Sequence, residues 1–200
     1  MRRLPIVLLP VALAIALVFG FYLWRAGDGL PGLGRVVGTG TVRIGAPFTL
    51  IDQDGRTRRS ADFAGRFLLI YFGYAKCPDV CPTTLALMAD ALDKVGPKAS
   101  RIVPVFITID PERDTPAVLK PYVRSFGPRF IGLTGDLKAI TQVAADYRVY
   151  FRKHPLENGE YGLDHSSVIY LMGPDGKFVA YWDDTAVGPD KLAEALRAKL

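Results

Sequence analysis

Six apolar residues in a row, Phe67-Leu68-Leu69-Ile70-Tyr71-Phe72, lead through Gly73 into the segment that carries both cysteines of the chain. A strand wetted on one side alternates apolar and polar residues, whereas an unbroken apolar strand must be covered on both faces. Residues 67–72 therefore belong at the centre of a sheet with helices packed on each side. Ile102 to Ile109 forms a second such run, closed by Asp110-Pro111. Between the two, Leu85, Met88, Ala89, Leu92 and Val95 recur at helical spacing. A strand–helix–strand unit with a parallel sheet follows.

The remaining elements extend this unit. Phe48 to Ile51, the turn Asp52-Gln53-Asp54-Gly55 and Arg56 to Arg59 read as an N-terminal hairpin. Asp114-Thr115-Pro116 opens a helix, with a capping residue before a proline at the first helical position. Phe130 to Leu133 reads as a short strand and Leu137 to Tyr147 as a helix. Val168 to Met172 and Phe178 to Trp182 flank Gly173-Pro174-Asp175-Gly176, a strong hairpin turn, and Pro189 to Leu200 reads as a closing helix. This order is that of an α/β thioredoxin-like fold, and the first hairpin is the extension of its peroxiredoxin-type members.

Ahead of this domain, Leu4 to Trp24 contains no charged, amide or small hydroxyl residue. About 20 such residues span a bilayer as a helix, whereas the apolar core of a cleaved signal runs ~7–15. The run also ends in Tyr22-Leu23-Trp24-Arg25, not in a small-residue cleavage site. Residues 1–25 are therefore expected to be an uncleaved membrane anchor. Arg2 and Arg3 precede the span while Arg25 and Asp28 nearly cancel after it, which favours an inside N-terminus. No Arg- and Ser-rich transit segment comes first, so the expected location is a bacterial inner membrane with the domain facing the periplasm. Residues 26–41 are glycine-rich and read as a tether; residues 42–200 form the folded domain.

The formal charge of +5 does not imply nucleic acid. Residues 42–200 hold twenty-one Lys and Arg against nineteen Asp and Glu, and no basic cluster is interleaved with aromatics.

Cys77 and Cys81 lie between a buried strand and the start of its helix, in Lys76-Cys77-Pro78-Asp79-Val80-Cys81-Pro82. Free amide N–H groups and the helix dipole stabilise a thiolate there, and Lys76 adds a positive charge. Helical residues four apart share a face, with Cβ atoms ~5–6 Å apart, so both sulfurs can reach one ion. Their Cα atoms would be about 6 Å apart, within but near the long end of the disulfide range. A redox-active Cys77–Cys81 disulfide is thus allowed; as a structural staple it would close too small a loop to contribute much. Zinc in a structural site takes four ligands, whereas copper(I) favours soft thiolates and accepts fewer. His165, in Asp164-His165-Ser166-Ser167 just before a strand, is the better third ligand. In a thioredoxin fold that junction faces the cysteine loop at the position of a cis-proline, and no proline occurs from His165 to Met172. His154 reads as an ordinary loop residue.

With these motifs in hand, the chain resembles the Sco/SenC family. The resemblance rests on Cys77-Pro78-Asp79-Val80-Cys81-Pro82, on Pro104 to Thr115, on Gly132-Leu133-Thr134-Gly135-Asp136, on Tyr147-Arg148-Val149-Tyr150 and on Asp164-His165-Ser166. It covers about residues 44–182. It implies an anchored copper metallochaperone that binds Cu(I) and Cu(II) through Cys77, Cys81 and His165. The implied partner is cytochrome c oxidase subunit II, at its binuclear CuA centre, or another copper-accepting protein. Asp164 would stand beside the site and support it, or serve only as a loop residue. Ala75-Lys76 departs from the pattern of many members, which carry a Thr there. Asp110 to Thr115 reads as a strand end and helix cap.

Metal delivery without catalytic turnover is the leading reading, with no catalytic residue assigned. A thiol–disulfide reductase that keeps partner cysteines reduced is the alternative; it shares the cysteines but does not need His165. A peroxidase would need Thr three residues before Cys81, where Pro78 stands.

Overall fold

The computed structural model describes residues 15–18, 43–157 and 159–200. The anchor expected over 1–25 and the tether over 26–41 lie outside the described residues, apart from 15–18, which are helical. Among the described residues no helix is long and apolar enough to cross a membrane. Arg43–Leu200 forms one compact unit.

Nine strands and four α-helices are described in that unit. The strands are β1 (Thr49–Asp52), β2 (Thr57–Arg59), β3 (Phe67–Gly73), β4 (Ile102–Thr108), β5 (Ile131–Thr134), β6 (Phe151–Pro155), β7 (Tyr161–His165), β8 (Val168–Met172) and β9 (Phe178–Asp183). The helices are α1 (Val80–Val95), α2 (Pro116–Arg124), α3 (Leu137–Asp146) and α4 (Pro189–Arg197). Seven strands build one sheet in the order β2-β1-β5-β4-β3-β8-β9, with β3, β4 and β5 parallel and the others antiparallel. β6 and β7 pair only with each other.

The apolar runs occupy the centre, as their lack of alternation requires. Leu69, Ile70, Tyr71 and Phe72 of β3 and Val105, Phe106 and Ile107 of β4 are wholly buried. Each such side chain removed from water stabilises the fold by ~1.5–3 kcal/mol before entropy is counted. α1 buries Leu85, Met88 and Leu92 and packs against α4, which buries Leu192 and Leu196. The first hairpin extends the sheet, β1 lying antiparallel to β5.

Register places the site. β3 and β4 pair in step from Phe67↔Ile102 to Gly73↔Thr108, so the chain leaves both strands at the same edge. β8 runs the other way, with Tyr71 opposite Ile169, and therefore starts where β3 ends. The cysteine loop, the Asp110 loop and the chain around His165 thus meet at the carboxyl ends of the parallel strands, where α/β sheets bind ligands. The β6–β7 ribbon is absent from the sequence reading, which assigns no element between Tyr147 and Val168 and reads His154 as a loop residue. With only Leu163 fully buried among its large side chains, the ribbon shows no clear period-two pattern.

Candidate metal centre

Cys81 lies in the first turn of α1 and is fully buried, while Cys77 lies one turn earlier in the chain and is half-buried. The two were expected on one helical face. The helix instead begins at Val80, because Pro82 has no N–H to donate to the carbonyl of residue 78 and its ring would clash there, so it is tolerated only in the first turn. Cys77 sits in a turn, its N–H donating to the Tyr74 carbonyl at 3.1 Å. The sulfurs still converge. The Cys81 amide donates to Cys77 Sγ at 3.4 Å, so this sulfur satisfies one of the orphan N–H groups of the helix start. Asp79, at the N-cap position, makes no side-chain capping bond.

His165 ends β7 and turns its imidazole to the sulfurs, with Nε2 3.5 Å from Cys81 Sγ. Nδ1 lies 3.0 Å from the Ser166 carbonyl, which can only accept, so Nδ1 carries a proton and Nε2 is the nitrogen that offers a lone pair to a ligand when the ring is neutral. The two sulfurs and the imidazole nitrogen all lie within 4.8 Å of one another, and among the described residues this is the one cluster able to hold a metal ion. Tyr71 and Tyr74 stand edge-on to the imidazole, with ring centroids 6.1 and 6.2 Å away. A cleft of about 240 Å³ opens on the site between Tyr74, Pro78, Val80 and Leu163, and Cys77 and His165 line it. Anything entering meets Cys77 before the buried Cys81.

The thiols are electrostatically unequal, and both are free. The bond from the Cys81 thiol, aided by His165 and backbone amides, holds Cys77 far below the ordinary thiol range against the cost of its burial. The Cys81 thiol, donating to that sulfur and buried, is pushed up. Burial disfavours the charged form of His165, but the Cys77 sulfur and the Ser166 carbonyl outweigh it and raise its pKa. The reduced site thus holds one accessible thiolate, one buried thiol and an oriented imidazole.

Lys76, expected to stabilise the thiolate, instead pairs with Glu160 at 3.2 Å in solvent. Asp164 is exposed, and its carboxylate faces Arg152 at 3.5 Å and His154 at 3.1 Å across the ribbon. The group fixing the imidazole is the Ser166 carbonyl. His154 lies outside the cluster. Sequence reasoning missed Tyr71, Tyr74, Thr84 and Asp184. Buried Asp184 accepts the Thr84 hydroxyl at 2.6 Å and is among the groups that raise the pKa of His165. Alternation along β3 signals Tyr71, which shares a face with Gly73 beside the cysteines. Nothing local signals Asp184.

A thioredoxin-like fold presenting two cysteines and a histidine at the carboxyl ends of its parallel strands defines a soft-metal or dithiol protein. The model of the SCO1/SenC family matches residues 37–200, and the chain belongs to that family. Protein SCO1 homolog 1, mitochondrial, of Arabidopsis thaliana is 44% identical over 144 residues, 72% of this chain and 43% of that protein. The chain spans about half the length of the first curated relatives it matches. ScoI of Bradyrhizobium japonicum, solved with copper bound, is 43% identical with a TM-score of 0.72, covering 78% of this chain and 99% of that one. BsSco, described as a member of the Sco family of cytochrome c oxidase assembly proteins and as having a disulfide switch, is 26% identical with a TM-score of 0.63. It covers 78% of this chain and 91% of that one.

Proposed function

We propose that this chain is a copper metallochaperone, anchored in a bacterial inner membrane by residues 1–25, that delivers copper to the CuA site of cytochrome c oxidase subunit II. The observation carrying the reading is the donor set: two sulfurs and one imidazole nitrogen within 4.8 Å of one another. Soft thiolates suit Cu(I), and the imidazole adds a donor that Cu(II) favours. Three ligands leave the ion reachable by an acceptor, and the cleft over Cys77 and His165 gives an entry side. The copper-bound relative and the oxidase-assembly description of BsSco point the same way. The chain's own residues bind and orient; no turnover is assigned to them.

One observation favours thiol–disulfide exchange as a second reading. An accessible thiolate at Cys77 beside a buried thiol at Cys81 is the pairing of an attacking and a resolving sulfur. The two readings part at His165. In a strain with His165→Ala as its only copy, delivery predicts loss of oxidase activity while the purified variant stays folded. Thiol reduction predicts near-normal activity and near-normal dithiol exchange. Full oxidase activity in this variant with its Cu(II) binding lost would overturn the chaperone reading.

A further inference from the structure

His165 rides on a ribbon that the main sheet does not hold. β6 and β7 pair only with each other, and a lone two-stranded hairpin is marginal in water. Beyond the turn into β8, side-chain contacts must therefore fix the third donor against the two sulfurs. Two of the ion pairs reaching the ribbon, Lys76–Glu160 and Lys153–Glu112, are close to half-exposed at each end, where such pairs contribute little.

One contact is different. Arg113, in the loop after β4, lays its guanidinium over the ring of Tyr161 at 3.7 Å and donates from Nη1 to the Tyr161 carbonyl at 2.9 Å. Its Nε pairs with Asp110, whose side chain is wholly buried and whose second oxygen accepts the Tyr161 hydroxyl at 2.8 Å. The same loop holds the cysteines. The carboxylate of Asp114 accepts the Ala75 amide at 2.9 Å and the Thr108 hydroxyl at 2.6 Å. Tyr161, Leu163 and His165 alternate along β7 and so share a face, and the Leu163 amide reaches the Tyr74 hydroxyl. One short loop thus grips the strand carrying the nitrogen donor and the segment carrying the sulfur donors.

We infer that Arg113, through Tyr161, is a positioning residue that sets His165 at coordination distance from the cysteines. The inference rests on the copper-binding reading and assigns no ligand role to Arg113. The thiolates are held from β3 and α1, so Arg113 should govern the imidazole-dependent form, Cu(II), more than Cu(I).

The test is copper binding by the purified full chain, with Cu(II) followed by its sulfur-to-copper absorption and Cu(I) by stoichiometry. Arg113→Met should lower Cu(II) affinity about tenfold, the scale at which outer partners of a metal ligand act, and move the band towards that of His165→Ala. Cu(I) stoichiometry should be unchanged. In the His165→Ala background, Arg113→Met should cost nothing more. Tyr161→Leu should reproduce Arg113→Met, while Tyr161→Phe, which keeps the ring and the carbonyl, should stay near the parent; this pair decides if Arg113→Met does not fold. Unchanged Cu(II) affinity and band in both Arg113→Met and Tyr161→Leu would overturn the inference alone. So would an equal loss from Arg113→Met with and without His165, which would mark a general effect on the fold. A parent chain that binds no copper would overturn the metallochaperone reading and this inference together.

Discussion

The cysteine loop and the β6–β7 ribbon supply the same site, yet they are built by opposite means. The loop continues a strand whose residues are all buried, and it is tied at its start by the Ile109 amide donating to the Gly73 carbonyl at 2.8 Å. It ends in a sixteen-residue helix packed on α4. The ribbon exposes most of its β6 strand and is held by the loop after β4 and by the turn to β8. Sulfur donors set in the core keep their geometry at a cost shared by the whole domain. A nitrogen donor on a ribbon can be placed, or misplaced, by a few side chains without unfolding anything. The site is thus a fixed pair of sulfurs with a separately supported third arm.

Replacing both sulfurs should produce the largest effect. The Cys77→Ser, Cys81→Ser double variant should lose stoichiometric Cu(I), since hydroxyls are hard donors, whereas His165→Ala should keep it. Metal analysis after desalting reads both, and copper retained by the double variant would break the contrast between core and ribbon donors.

The next effect lies within the loop itself. Cys77, with its pKa depressed, should be alkylated by iodoacetamide well below pH 8, and buried Cys81 should hardly react. The sign follows from the depressed value. An ordinary thiol loses its thiolate as pH falls below ~8.5, but Cys77 keeps it, so its reactivity should persist until pH reaches the lowered value. The Cys77 thiolate's contribution to stability is likewise present above ~8.5 and lost only as pH falls through that lowered value. Peptide mapping after timed alkylation checks this, and equal labelling of the two cysteines at pH 6 would refute the asymmetry.

A smaller effect tests how tightly the core holds the sulfurs. A Cβ on Gly73 would lie 2.7 Å from Cys81 Sγ and 3.0 Å from Phe106 Cε2. Gly73→Ala should therefore destabilise the domain by ~1–3 kcal/mol, as overpacking does, and weaken Cu(I) binding by displacing Cys81. Denaturant unfolding with a parallel copper titration would show it; unaltered stability would mean that the loop yields more than the packing implies.

The smallest effect belongs to the ribbon's surface. Arg152→Ala removes an exposed pair with Asp164 and should leave both Tm and copper binding unchanged. A measurable loss would move the hold on the ribbon from Arg113 to its solvent-facing charges.

Unbroken apolar runs made β3 and β4 legible, since only a strand covered on both faces has no use for polar residues. The turn residues at 52–55 and 173–176 made both sheet hairpins legible in the same way. Cysteine and histidine are the soft and borderline donors a chain can offer, so the candidate donors that the structure brings together were readable as residue types before any geometry was known. The position of Cys77 was not. Pro82, confined to the first turn, keeps the helix from running back to Cys77, and the sulfurs meet because one caps the helix that carries the other.

Residue identity by itself determined the fold class, the central strands and which side chains can bind a soft metal, because burial and ligand chemistry are properties of residue types and short spacings. Tertiary structure alone decided that Tyr161 stacks under Arg113, that Asp184 lies behind His165, and that Asp164 turns to Arg152 and His154. Those are meetings between residues 48, 19 and 12 positions apart in the chain. No local propensity encodes them: they exist only once the loop after β4, the β6–β7 ribbon and the end of β9 have been brought to a common edge, and the pairing of strands sets which side chains share it.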